Sequence, residues 1–214
     1  VRDGDGVVSI EPWRVLSSRI SYEDRWLKVR SDDCVTADGR HISPYHVLEY
    51  PDCINVVALT PEGQLLLVRE YRHGCGEIML GLVSGAHEAA DGESADAAER
   101  AARRELREET GYSGGRFTPI LTSYPNPANQ NNKVTTFLAM DVVLSGEQQL
   151  DANEAIEVRL DDLATILVGL RRGETRMQAM HVAALWSAAA QIMAGEPEPE
   201  DTATLRAKLL AAFS

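Results

Sequence analysis

No run of about 18 consecutive apolar residues occurs in the chain, so no membrane-spanning helix is expected. Basic residues are in short supply: 21 Lys and Arg stand against 33 Asp and Glu, a formal charge of −12. Phosphate contacts along a nucleic acid need clustered Lys and Arg, so that partner class is excluded. A small phosphorylated ligand remains open if metal ions screen it. Cysteine is scarce too. Cys34, Cys53 and Cys75 are odd in number, widely spaced and match no zinc pattern. They read as inert packing residues of a reducing compartment, hence the cytoplasm. The stretch VRDGDGVV carries acids where a secretory signal would carry bases and an apolar segment, so no such signal is expected. No internal repeat is visible.

A chain of 214 residues with 44% hydrophobic content can bury a proper core. Residues 1–50 read as an extension of antiparallel strands after a loose leader, with Asp38-Gly39 as a hairpin turn. Residues 51–195 read as the main domain. There Pro61-Glu62-Gly63 joins two strands, and the unbroken run Leu65–Val68 belongs in a sheet buried on both faces. A strand at Glu77–Val83, a loop SGAHEAADGE, and strands near Arg116–Thr122, Lys133–Leu144 and Ala155–Leu160 follow. Asp161 or Asp162 starts a helix that Gly173 closes, and Glu174–Ala194 forms another, with His181 on its apolar stripe as a core residue. Residues 196–214 are a linker, EPEPED, and a short helix carrying Leu205, Leu209 and Phe213. Strands on either side of helices predict an α/β/α sandwich around a mixed sheet.

One helix stands out. Between the loop and the strand near Arg116, SADAAERAARRELREETGY predicts a helix that Ser94 caps and Gly111 ends. Glu105, Glu108 and Glu109 fall at i, i+3 and i+4 in its last turns, where the helix dipole already favours cations. Each like-charge pair there costs roughly 0.2–0.5 kcal/mol on an isolated helix. The arrangement asks for a compensating cation: neighbouring Arg side chains, or divalent metal ions.

RELREETGY, Arg104 to Tyr112, resembles the second half of the Nudix hydrolase box at every specified position. The first half departs, since the pattern asks for Gly at 90 and Glu at 96, where the chain has Ala90 and Asp96. EIMLGLV, 77–83, is similar to the strand end of the ADP-ribose and nucleoside-diphosphate-sugar branch. In that register Gly81 is the box glycine, a longer loop follows, and Glu93 or Asp96 replaces the first Glu. REYRHG, 69–74, and RWLKVRSDDCVTADGRH resemble further segments of that branch. Pro125 and Pro127 stand where it often has proline, but Asn129 to Asn132 replace its acids.

The resemblance implies water attacking a phosphorus with Mg²⁺ or Mn²⁺ held by Glu105, Glu108, Glu109 and the main-chain carbonyl of Leu80. Hard carboxylate oxygens on one helix face suit such ions. Arg104 is expected to pair with Glu108 one turn on and fix its orientation. The resemblance puts the general base in the acidic stretch DANEAIE, as Glu154 with Glu157 in reserve. Arg72 is the candidate for a phosphate contact and Trp26 for stacking on an adenine, the latter across a homodimer. The implied substrate is a nucleoside diphosphate sugar, ADP-ribose first. Another nucleotide, or a nucleotide-binding module without catalysis, stays open.

Overall fold

The computed structural model describes residues 10–92, 94, 96–195 and 199–213. Two compact units divide the chain: residues 1–51 with 124–132, and residues 52–123 with 133–214.

In the first unit Arg14–Glu23 (β1), Lys28–Val35 (β2) and His41–Glu49 (β3) form an antiparallel sheet in the order β1-β2-β3. The β2–β3 turn needs its glycine, because Gly39 has φ 85°, a left-handed conformation that a Cβ disfavours. Between β1 and β2, Asp24 Oδ1 accepts the N–H groups of Trp26 (2.7 Å) and Leu27 (2.8 Å), which turns the chain and leaves Trp26 68% exposed. Asp32 is buried but paired: it accepts from Arg30 Nε at 2.9 Å and from the Ser18 hydroxyl at 2.7 Å. Segment 124–132 attaches to β3, where Leu48 N–H donates to Asn129 O at 2.7 Å.

The second unit holds a mixed sheet. Its strands are Cys53–Leu59 (β4), Leu65–Arg72 (β5), Glu77–Gly81 (β6), Val83–Ala86 (β7), Tyr112–Ser123 (β8), Val134–Leu144 (β9) and Glu157–Asp161 (β10). The order is β10-β5-β4-β9-β8, with β6 on β5 and β7 on β4; β4 and β9 are parallel and the other pairs antiparallel. Alternation along the strands sorts the core. Val57, Leu59, Leu65, Leu67, Leu138 and Met140 face one cluster; Val56, Ala58, Leu66, Val68, Phe137 and Ala139 face the other. The Leu65–Val68 run is thus buried on both sides, each side chain contributing about 1.5–3 kcal/mol.

Helix α1 (Ala97–Thr110) covers the second cluster with Ala101, Ala102 and Leu106. Helices α2 (Leu163–Arg172), α3 (Ala179–Ala194) and α4 (Pro199–Phe213) cover the first. The result is the expected α/β/α arrangement. Among the described residues no helix is long and apolar enough to cross a membrane.

Several local expectations change. The strand expected over Glu77–Val83 breaks at Leu82 into β6 and β7, because it leaves β5 and joins β4, and the first residues of the expected loop belong to β7. Asp96, not Ser94, is the N-cap of α1; the Ser94 hydroxyl instead donates to Asp96 Oδ1 at 2.6 Å. Helix α3 starts at Ala179, later than expected. Helix α4 begins inside the expected linker, and Leu205 and Leu209 lie in the core, with Lys208 paired to Asp162 at 3.0 Å. Among the described residues no disulfide forms; Cys34 is buried, but Cys75 is exposed rather than packed.

Candidate active site

Helix α1 buries its alanine and leucine stripe and so turns its acidic face outward from the second cluster. Gly111 closes it with φ 75°, and a Cβ there would overlap the Gly146 carbonyl. The chain after β9 is pinned to this end: Gln149 N–H donates to Glu108 O at 2.8 Å, and Gln148 Nε2 donates to Glu109 O at 2.6 Å and Ile156 O at 3.2 Å. These bonds satisfy C-terminal carbonyls of the helix. They also carry residues 149–154 over its acids.

A polar cleft of about 280 Å³ results, lined by Glu88, Arg104, Glu105, Glu108, Glu109, Gln149, Asp151 and Glu154. Glu154 therefore meets the three glutamates of α1, across more than forty residues of sequence. Its Oε2 accepts Asp151 N–H at 3.1 Å, which folds the wall of the cleft. Glu157 does not line this cleft. It is exposed on β10, bound to Arg69 at 3.0 Å, and borders a neighbouring hollow of about 480 Å³ with Tyr71, Ile78 and Ile156.

The electrostatics are unusual. Glu109 is only 9% exposed and its Oε2 has no hydrogen-bond partner among the described residues. Burial, then the charges of Glu105, Glu70 and Glu154, push its carboxyl up to about 9. Burial likewise pushes Glu105 up to about 7, against the pull of Arg104. Arg104 donates through Nη1 to Glu105 Oε1 (2.9 Å) and Glu108 Oε2 (3.1 Å), so the expected pairing with Glu108 is present. Its other edge faces Asp91, with Nε 3.3 Å from Oδ1 and Nη2 3.2 Å from Oδ2, and Nη2 also reaches Ala86 O at 3.2 Å.

Two residues of this constellation escape the sequence. Asp91, in a 3-10 turn over Ala89–Asp91, meets Arg104, whereas Asp96 pairs with Arg100 and Glu93 lies outside the described residues. Glu70, raised by burial and by the charge of Glu154, holds Arg72 at 2.6 Å and adds its field to Glu109. Only its place in REYRHG beside Arg72 signalled it.

Gly85, not Gly81, faces the acids. A Cβ on Gly85 would overlap the Glu105 carboxylate, while one on Gly81 would meet the ring of His181 at 3.2 Å. Leu80 is paired with Arg69 in the β5–β6 hairpin and packs on the first core cluster; it does not line the cleft. Trp26 lies in the first unit, with the Arg25 guanidinium 4.3 Å over its ring.

Among the described residues no three His, Cys, Asp or Glu side chains converge tightly enough to enclose an ion as they stand. The donor set fits a divalent cation nonetheless. A buried carboxylate without a donor, surrounded by carboxylates and open to a polar cleft, lacks a positive charge. Arg104 pairs with Glu105 and Glu108, and Arg107 lies 3.9 Å from Glu108, which leaves Glu109 Oε2 without a donor among the described residues.

Comparison with known proteins agrees. Residues 13–48 match the nucleoside diphosphate sugar hydrolase N-terminal domain, and residues 49–181 match the NUDIX domain. The chain is 31% identical over 151 residues to an ADP-ribose pyrophosphatase of Bacillus subtilis (strain 168), covering 70% of this chain and 78% of that one. It is 29% identical over 115 residues to putative nudix hydrolase 2 of Caenorhabditis elegans, 49% of each chain. A crystal structure of an ADP compounds hydrolase superposes with a TM-score of 0.76 at 23% identity, over 89% of this chain and 99% of that one. The glutamate-lined cleft on α1, in a chain whose larger part matches the NUDIX domain, makes this protein a member of the NUDIX hydrolase family, in its ADP-ribose and nucleoside-diphosphate-sugar branch.

Proposed function

We propose that the protein hydrolyses the diphosphate bond of a nucleoside diphosphate sugar, ADP-ribose foremost, to AMP and ribose 5-phosphate, with Mg²⁺ or Mn²⁺ as cofactor. The unpartnered Glu109 carboxylate among Glu105, Glu70 and Glu154 carries this reading. Glu105, Glu108 and Glu109 hold the cation. The main-chain ligand is reassigned from Leu80 to the Ser84–Gly85 stretch, since Gly85 lies against Glu105 and Leu80 does not. A bound divalent ion supplies positive charge against the diphosphate and acidifies water.

The chain's own groups do the rest. Glu154, which lines the cleft, takes a proton from the attacking water, while Glu157, engaged by Arg69 outside the cleft, stays the reserve candidate. The water oxygen bonds to one phosphorus, the bond from that phosphorus to the bridging oxygen breaks, and the two halves leave as phosphate monoesters. Arg104 keeps Glu105 and Glu108 oriented, and Arg72, held by Glu70, contacts a substrate phosphate. An indole open to solvent supports Trp26 as a base-stacking residue in a homodimer. Three widely spaced cysteines that form no disulfide among the described residues support a cytoplasmic setting.

The test is incubation with Mg²⁺ and a panel of nucleoside diphosphate sugars, dinucleoside polyphosphates and nucleoside triphosphates, with products resolved chromatographically. ADP-ribose is expected to turn over fastest, and Glu108→Gln to lose most of the rate. No turnover of any compound, with Glu108→Gln indistinguishable from the parent, contradicts the proposal.

A further inference from the structure

The turn between α2 and α3 is held firmly by its own main chain. Glu174 N–H and Thr175 N–H both donate to Gly169 O, at 2.9 and 3.2 Å, and Gly173 closes α2 with φ 72°. Arg176, just beyond, donates to Glu77 of β6 through Nη1 and pairs with it again through Nη2, both at 3.1 Å. The α2–α3 turn and the β5–β6 hairpin are thus fastened to each other. An open hollow of about 540 Å³ remains between them, inside the second unit and within the size range of small-molecule sites.

Its lining is of two kinds. Met79, Leu170, Met177, Val182 and Trp186 form an apolar wall, and the unbranched methionines adjust to the shape of what they touch. Arg171, Arg176 and Glu77 are the charged residues of the lining. Glu77 neutralises Arg176, so two arginines against one glutamate leave the charge of Arg171. That guanidinium lies 5.3 Å over the Phe213 ring and has no acidic partner among the described residues. An uncompensated cation beside an apolar wall stands out in a chain of net charge −12. The acidic cleft on α1 shares no lining residue with this hollow.

We propose that the hollow is a second ligand site, for a small molecule with an apolar body and one carboxylate or sulfonate. Arg171 engages the anionic group, for which its planar fork is suited, and the methionine and tryptophan wall covers the body. A single unpaired arginine matches one negative charge, which sets this ligand apart from the multiply charged nucleotides of the cleft. The inference does not rest on the hydrolase reading, because no residue of the cleft takes part.

Fluorescence of 8-anilinonaphthalene-1-sulfonate, an aromatic ring system with one sulfonate, tests it in EDTA and without substrate. One saturable site is expected, with energy transfer from Trp186 that Trp186→Phe removes. Octanoate is expected to displace the dye, and neutral octan-1-ol to do so at least about tenfold less well. Arg171→Gln is expected to weaken both anions about tenfold, and Arg171→Glu further. Arg171 is exposed, so neither change threatens folding. Arg172→Gln, next to it on α2 but outside the lining, is expected to change neither affinity.

No saturable binding, affinity untouched by both Arg171 variants, or octan-1-ol competing as well as octanoate overturns the inference. So does displacement of the dye by ADP-ribose as effectively as by octanoate, which makes the hollow part of the nucleotide site. Dye binding that appears only when a dimer is diluted shows a second copy of the chain on this wall, and overturns it too.

Discussion

Glu109 on α1 and His181 on α3 are both buried, on opposite faces of one sheet, and each keeps a side-chain atom without a partner among the described residues. Their neighbours differ. His181, 1% exposed, accepts Leu82 N–H through Nδ1 at 3.3 Å, lies against Gly81, and shares its helix with Ala184, Leu185 and Ala188 of the first cluster. Burial, then the charge of Arg72, lowers its pKa to about 3, so the ring is neutral and packs as a core residue. Glu109 is ringed by Glu105, Glu70 and Glu154 and opens on a polar cleft. Burial alone does not make a site; burial among like charges, beside a cleft that a cation can enter, does.

The largest expected effect breaks the comparison at Glu109. Glu109→Gln keeps the shape, removes the charge, and is expected to lower turnover at least about a hundredfold. It is also expected to stabilise the metal-free protein. The ordinary carboxyl value is 4.5 and the folded value about 9, so stability is complete below pH 4.5 and is lost as pH rises towards 9. Denaturant unfolding of both proteins in EDTA across that window checks the sign: the difference should grow with pH and shrink when Mg²⁺ is restored to the wild type.

Gly85 and Gly81 sharpen the same contrast by backbone position. A methyl at 85 displaces Glu105, so Gly85→Ala is expected to lose activity by an order of magnitude or more while remaining folded. Gly81→Ala presses on His181 instead, and is expected to cost about 1–3 kcal/mol of stability with kcat nearly unchanged. Paired melting and rate measurements separate the two.

How much of this the sequence disclosed depended on how local the cause was. The Asp38-Gly39 turn, the doubly buried Leu65–Val68 run, and the crowding of Glu105, Glu108 and Glu109 follow from short-range periodicity and turn chemistry, and all three are legible. Glu154 was visible as an acidic stretch named by resemblance, and the fold brings it to the cleft. Asp91, Glu70 and Gly85 were not. Gly81 ends β6 and Gly85 lies one residue before the end of β7, and only the side chain opposite each tells them apart. Asp91 reaches Arg104 through a 3-10 turn and stands six residues after Gly85, a spacing that the choice of Gly81 hides, and Ser94 lost the capping role to Asp96 because it bonds to that residue's carboxylate.

The smallest expected effect lies on the other face of the sheet. His181→Gln removes a group whose folded pKa of about 3 is below the ordinary 6.5. Stability from the neutral ring is complete above pH 6.5 and is lost as pH falls towards 3, by up to about 1.4 kcal/mol per pH unit. The variant is expected to be somewhat less stable at pH 7, to lose less on acidification, and to keep its turnover of ADP-ribose. Glu109 and His181 thus predict opposite slopes of stability with pH.

The most direct test of the cation-dependent cleft is the rate of AMP and ribose 5-phosphate release from ADP-ribose by wild type and Glu109→Gln, each in EDTA and after Mg²⁺ is added. Equal amounts of the two products from the wild type with Mg²⁺, and almost none from the other three samples, are predicted. Product formed equally well in EDTA, or equally well by Glu109→Gln, contradicts the account.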